Sequence, residues 1–169
     1  MAIYRVYLAP EGAQPRSTAF PAFVKANGSA FAVSGLAFDA ATAERTVWKL
    51  EPFNYSSGDL SVDVVWYADT ATSGAVRWEV FLAAITPGVD TDSVETKAMS
   101  TGVTAVASHL GGTGKRLHKT TVTLPPALLD SMAAGDEVWL RLGRDAADST
   151  DTMTGDVVVT SVRLTYTGT

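Results

Sequence analysis

The stretch Leu60-Ser61-Val62-Asp63-Val64-Val65-Trp66-Tyr67-Ala68-Asp69 decides the fold. Leu60, Val62, Val64, Trp66 and Ala68 fall on one side of an extended chain, and Ser61, Asp63, Tyr67 and Asp69 on the other. Successive side chains of a strand alternate faces, so this is a strand with one face in a core and one toward solvent. Residues 76–84 repeat the pattern with Val76, Trp78, Val80, Leu82 and Ala84 inward and Arg77, Glu79 and Phe81 outward. Residues 158–166 repeat it again with Val158, Val162, Leu164 and Tyr166.

Working outward, the chain from residue 28 reads as strands separated by turns, over 29–39, 45–51, 59–69, 75–86, 95–107, 116–124, 136–145 and 156–167. About eight antiparallel strands is the number of a double-sheet jelly-roll β-sandwich. The core is expected to include Trp48, Leu50, Val62, Val64, Trp66, Trp78, Val80, Val122, Leu140, Val162 and Leu164. Gly35 separates Phe31 and Val33 from Leu36 and Phe38, which lie in opposite phase, so a bulge is expected there to keep both pairs inward. Pro125-Pro126, the apolar Leu128, Leu129 and Met132, and Gly135 predict one short helix of about two turns.

Residues 1–27 differ. Pro10, Pro15 and Pro21 recur with little alternation, and proline removes a ladder donor. This segment reads as an extended N-terminal arm ahead of a sandwich domain over 28–169, with a short strand at 3–8 as the alternative. Its apolar residues Tyr4, Tyr7, Phe20 and Phe23 then become candidate contacts with a neighbouring subunit or partner, and the sandwich is expected to fold without residues 1–20.

A chain of 169 residues suits one domain, and 46% hydrophobic residues exclude disorder. No apolar run approaches the roughly 20 residues of a membrane-spanning helix, so no membrane partner is expected. The N-terminus lacks the basic start and apolar stretch of a secretory signal, so export by that route is not expected. Cysteine is absent, which removes disulfides and thiolate metal sites. The net charge of −5, without a dense Lys/Arg cluster, argues against nucleic acid.

The motifs that suggest chemistry fail on inspection. Gly111-Gly112-Thr113-Gly114-Lys115 would need Gly at His109, Ser or Thr at Arg116 and a following helix to cradle phosphate. Asp145, Asp148, Asp151 and Asp156 lack the spacing of a calcium loop. The histidines are His109 and His118, and no serine sits in a nucleophile elbow. Glu51, Asp63, Glu79 and Glu137 occupy outward positions and read as solvated carboxylates rather than a glycosidase pair. No catalytic residue, metal or cofactor is therefore expected. Phe81 and Trp139 are different, because both point away from the core among charged residues, and large apolar groups so placed mark a contact surface.

The runs Gly58 to Ala68, Thr72 to Val80 and Ala134 to Asp145, with Asp151-Thr152-Met153-Thr154-Gly155-Asp156 before the last strand, resemble those of jelly-roll structural proteins of tailed bacteriophages, the capsid decoration or cement proteins among them. The resemblance implies a non-enzymatic virion protein, commonly trimeric, that binds the major capsid protein or another virion protein and stabilises the shell. It carries no catalytic residues over, and it does not cover residues 1–27. The alternative is a carbohydrate-binding or host-adsorption β-sandwich module of a phage tail or secreted enzyme.

Overall fold

The computed structural model describes residues 1–169. Eleven strands form: β1 (Ala2–Leu8), β2 (Gln14–Pro15), β3 (Ala22–Asn27), β4 (Ala32–Phe38), β5 (Glu44–Leu50), β6 (Tyr55–Ala68), β7 (Ala75–Ile85), β8 (Val103–Ser108), β9 (His118–Leu124), β10 (Glu137–Arg144) and β11 (Val157–Gly168). One sheet runs β3-β4-β11-β6-β9, with β1 also paired to β11; the other runs β2-β5-β10-β7-β8. Strands β4 to β11 thus supply two four-stranded antiparallel sheets, β4-β11-β6-β9 and β5-β10-β7-β8, joined largely by crossings between sheets. This is the jelly-roll sandwich that alternation predicts.

The inward faces meet in one core that includes Phe38, Trp48, Val62, Val64, Trp66, Trp78, Val80, Leu82, Leu140, Leu142, Val162 and Leu164. Of the expected core, only Leu50 stops short of full burial, packing half-buried against the rest. Phe38 meets Trp78 edge-on at 5.4 Å, an arrangement the ring quadrupoles favour.

The N-terminal segment forms the short strand allowed at 3–8, and the rest of it is a correction to the expected arm. Residues 2–8 pair continuously with 162–168 of β11, Leu8 is buried, and Tyr4 stacks on Tyr166 at 5.8 Å. The chain then crosses to the second sheet through a 3-10 turn at Pro10–Gly12, where the Trp48 indole N–H donates to Ala9 O at 2.8 Å. It bridges β5 as β2 and returns to the first sheet as β3. The prolines do not keep the segment out of the sheets. They sit in the 3-10 turn, in an edge strand and just before β3, positions where no ladder donor is required.

Two other expectations shift. The helix shrinks to one 3-10 turn, Pro126–Leu128, because Asp130 and Ser131 take positive φ of 50° and 58° and end helical winding. Leu129 and Met132 still enter the core. No bulge lies at Gly35; one lies at Thr160 of β11, where the register to β6 slips between Val159 and Ser161, and the same ladder slips again between Thr165 and Gly168. The bulge at Thr160 moves the inward phase from Val157 and Val159 to Val162, Leu164 and Tyr166. β3 and β4 pair without a slip, so Leu36 and Phe38 face in while Phe31 and Val33 face out. A Cβ at Gly35 would overlap the Val158 side chain and stand 2.9 Å from Val159 O, so glycine there permits close approach of β4 to β11.

Candidate functional site

The two outer faces of the sandwich are unequal. On the five-stranded sheet, Phe81 lies under the Arg141 guanidinium at 3.9 Å. Gly102 sits so close to that ring that a Cβ would collide with it, which seats the segment after β7 over the sheet. Ser100 N donates to Leu82 O at 2.8 Å, and the Ser100 hydroxyl accepts from Leu82 N at 3.2 Å, holding the segment in place. Glu79, expected to be solvated, is 5% exposed and accepts from Arg45 Nε at 2.6 Å. Trp139 is half-buried, with Lys49 Nζ 5.8 Å from its ring centre, and lines a groove of about 250 Å³ with Gln14, Pro15 and Val94. Around Phe81 and Glu79 this face is covered from within the chain, and the groove at Trp139 is its open part.

The outer face of the six-stranded sheet is open. Register places side chains in rows across it: Tyr7 of β1 opposite Arg163 of β11, Arg163 opposite Asp63 of β6, and Asp63 opposite Thr121 of β9. Arg5, Thr165, Ser61 and Thr123 form the next row. With strands about 4.8 Å apart, each row spans roughly 14 Å. Arg5, Tyr7, Asp63, Lys119, Arg163 and Thr165 line a polar groove of about 320 Å³. Asp63 accepts from the Thr121 hydroxyl and lies 3.3 Å from Lys119 Nζ, whereas Arg5 and Arg163 form no ion pair.

Tyr7 also borders a second, more apolar groove of about 540 Å³, lined by Phe31, Val33, Tyr67, Lys115, Leu117 and Thr160 among others. Tyr7 is 62% exposed and Phe31 74%. Tyr67 is buried at the floor, and burial holds its phenol above the usual pKa, so the hydroxyl stays a donor at neutral pH. One wall is the loop before β9, tied down by the Lys115–Asp69 ion pair at 2.8 Å.

His118 anchors that loop. Its ring stacks on Trp66 at 4.3 Å, and its Nε2 accepts from Leu110 N at 3.1 Å. Burial, reinforced by the neighbouring His109, lowers the His118 pKa. Neither histidine hydrogen-bonds a carboxylate, and both act as loop acceptors.

The aspartates after β10 are engaged by arginines and backbone. Arg144, fully buried, makes a two-pronged contact with Asp151 at 2.9 and 3.0 Å and donates to Met153 O, Gly155 O and Phe38 O. Asp145 takes Arg77 Nη1 at 2.7 Å, and Asp156 accepts from Ala40 N at 3.1 Å. No three His, Asp or Glu side chains converge as metal ligands would.

The six contact candidates therefore scatter. Tyr7 stands on the open face, and Phe20 and Phe23 line an edge notch with Pro10, Pro15 and Pro21. Tyr4 is half-buried against Tyr166, Phe81 is capped by Arg141, and Trp139 lines the groove on the outer face of the five-stranded sheet. Arg163, Asp63, Phe31 and Tyr67 are additions from the structure. Alternation marks Asp63 and Tyr67 as outward, but only register sets Asp63 between β11 and β9 and Tyr67 against β11.

No protein-family model matches the chain, and no curated protein matches it. Among solved structures it is similar to Arthrobacter globiformis T6 isomalto-dextranase complexed with panose, at 9% identity and TM-score 0.51 over 95% of this chain and 23% of the enzyme. It is similar to the carbohydrate-binding module CBM6cm-2 of Cellvibrio mixtus lichenase 5A in complex with cellotriose, at 11% identity and TM-score 0.49 over 96% of this chain and 97% of the module. A CBM35 from Cellvibrio japonicus Abf62 is similar at 13% identity and TM-score 0.47, over 98% and 95% of the two chains. At such identities the likeness is one of fold: a β-sandwich built from two antiparallel sheets.

Proposed function

We propose that this chain is a carbohydrate-binding β-sandwich module that holds a glycan across the outer face of its six-stranded sheet without cleaving it. The observation that carries this reading is the row Tyr7, Arg163, Asp63, Thr121, which sets an exposed ring, a guanidinium, a carboxylate and a hydroxyl side by side on rigid strands. Sugars present apolar faces that stack on aromatic rings and hydroxyls that both donate and accept, so a binding surface needs these group types together. The row has the reach of a short oligosaccharide. Binding without turnover follows from the carboxylates: Asp63 is the single acid lining either groove, whereas glycoside hydrolysis uses a pair. Glu79 is committed to Arg45, and Glu137 to Lys49 at 2.7 Å, on the other sheet.

Affinity electrophoresis through gels cast with individual polysaccharides tests this. Retardation by at least one polymer, lost in Tyr7→Ala while the thermal midpoint holds, is the expected result. Equal mobility in every gel would overturn the reading.

A second reading keeps the virion role, as a trimeric decoration protein on a capsid shell. The apolar notch of about 310 Å³ at the β2/β3 edge favours it, since Phe20 and Phe23, 43% and 53% exposed, are rings a partner surface would cover. Co-sedimentation with assembled particles, abolished by Phe23→Ser, would establish that role; a free monomer beside intact particles would remove it.

A further inference from the structure

From the polar groove we infer that the glycan is anionic, a polymer bearing carboxylate or sulfate groups, and that Arg5 and Arg163 read its charge. The inference rests on the carbohydrate reading above and narrows it to a substrate class. Three cations, Arg5, Lys119 and Arg163, line this groove against the single carboxylate of Asp63. Asp63, opposite Arg163 in register, is taken up by Lys119 at 3.3 Å, so neither guanidinium forms an ion pair. This local excess sits in a chain whose net charge is −5, so it is not a general surface property.

Arg5 faces Thr165 and Tyr7 faces Arg163, so Arg5 and Arg163 are diagonal neighbours on one face. Side chains so related stand about 7–8 Å apart, close enough for the like charges to repel and for one anionic ligand to relieve both. Guanidinium forks match carboxylate and sulfate oxygens two at a time, a geometry that a neutral hydroxyl does not exploit. Tyr7 borders both this groove and the apolar one, so a ring stacked on it would hold its charged substituent toward Arg163.

The outer face of the other sheet handles its arginines differently. Arg45 is spent on Glu79, and Arg141 lies over Phe81, so neither is free for a ligand.

The test titrates the intact protein with polygalacturonate, alginate and chondroitin sulfate, with fully methyl-esterified polygalacturonate as the uncharged counterpart, and with neutral β-glucans and single-stranded DNA. The inference expects binding to a member of the anionic set, at least about tenfold weaker after esterification and about tenfold weaker in Arg163→Gln or Arg5→Gln. Lys49→Gln, which removes the same charge from the opposite sheet, should leave affinity unchanged. Neutral glucans binding as well as the acidic polymers, with Arg163→Gln silent, would overturn the anionic assignment and leave the carbohydrate reading standing. Binding of DNA as tight as that of the uronates would also overturn it, since charge alone would then suffice. Binding to no glycan of either kind would sink the inference together with the reading beneath it.

Discussion

The outer faces of the two sheets carry similar residue types and have different fates. Each presents aromatic rings and arginines at outward positions. On the five-stranded sheet the ring of Phe81 is capped by Arg141 and pressed by Gly102, and Glu79 is buried against Arg45. On the six-stranded sheet Tyr7, Arg5 and Arg163 stand uncovered around two grooves. The difference teaches that alternation tells which side chains leave the core but not which reach solvent. Coverage is decided by chain outside the strands themselves, here the stretch between β7 and β8 that folds back over β7 and the distant β2.

The largest effect is expected at the N-terminal segment, which contributes strands to both sheets. Deleting residues 1–20 removes β1 from the open face and β2 from the covered one, and takes Leu8 out of the core. The truncated chain should fail to fold cooperatively, as read by the loss of a sigmoidal thermal transition. A cooperative transition near that of the full chain would restore the expectation of a dispensable arm.

Next in size is Arg144, buried at the end of the sandwich where it binds Asp151 and three backbone carbonyls. Arg144→Met leaves the Asp151 carboxylate unpaired in the interior and should cost about 3–5 kcal/mol in denaturant unfolding. Both faces would suffer, because Arg144 ties the loop after β10 to Phe38 of the opposite sheet.

The faces themselves should then separate. Phe81→Ala removes a ring packed between Arg141 and Gly102 and should lower stability by about 2 kcal/mol. Trp139→Ala should cost less and leave glycan binding intact. Tyr7→Ala, on the open face, should change stability by less than about 1 kcal/mol.

Smallest is a pH effect at the wall of the apolar groove. The folded-state pKa of His118 lies below its ordinary value of 6.5, so the unfolded chain takes the proton first. Stability should be full above pH 6.5 and should decline as the pH falls below it toward the folded-state pKa. Thermal midpoints across this range would show the decline in the parent protein and a flatter profile in His118→Gln. A midpoint rising on acidification would mean that the protonated ring is the one the loop prefers.

Much of this architecture was legible in the chain. Strands β6, β7 and β10 announce themselves because each has one apolar and one polar phase. What misled was local chemistry with a non-local answer. Pro10, Pro15 and Pro21 look incompatible with sheets, yet each falls where the backbone needs no donor. Phe31 and Val33 look like core residues out of phase, when they belong to the groove lining on the outer face. The bulge sits at Thr160 rather than at glycine, since a bulge is a relation between two strands and one strand cannot display it. The candidate site was less legible still. In the sequence Tyr7 reads only as a contact of the N-terminal segment. Its neighbours Arg163 and Asp63 come from strands far along the chain, brought together by pairings that no single segment specifies.

The most direct measurement is a glycan titration followed by heteronuclear NMR on the parent protein, Tyr7→Ala and Trp139→Ala. Shifts should be confined to β1, β6, β9 and β11 in the parent, with binding at least about tenfold weaker in Tyr7→Ala and parental affinity in Trp139→Ala. Shifts centred on β7 and β10, with Trp139→Ala abolishing binding and Tyr7→Ala leaving it unchanged, would contradict binding on the six-stranded sheet.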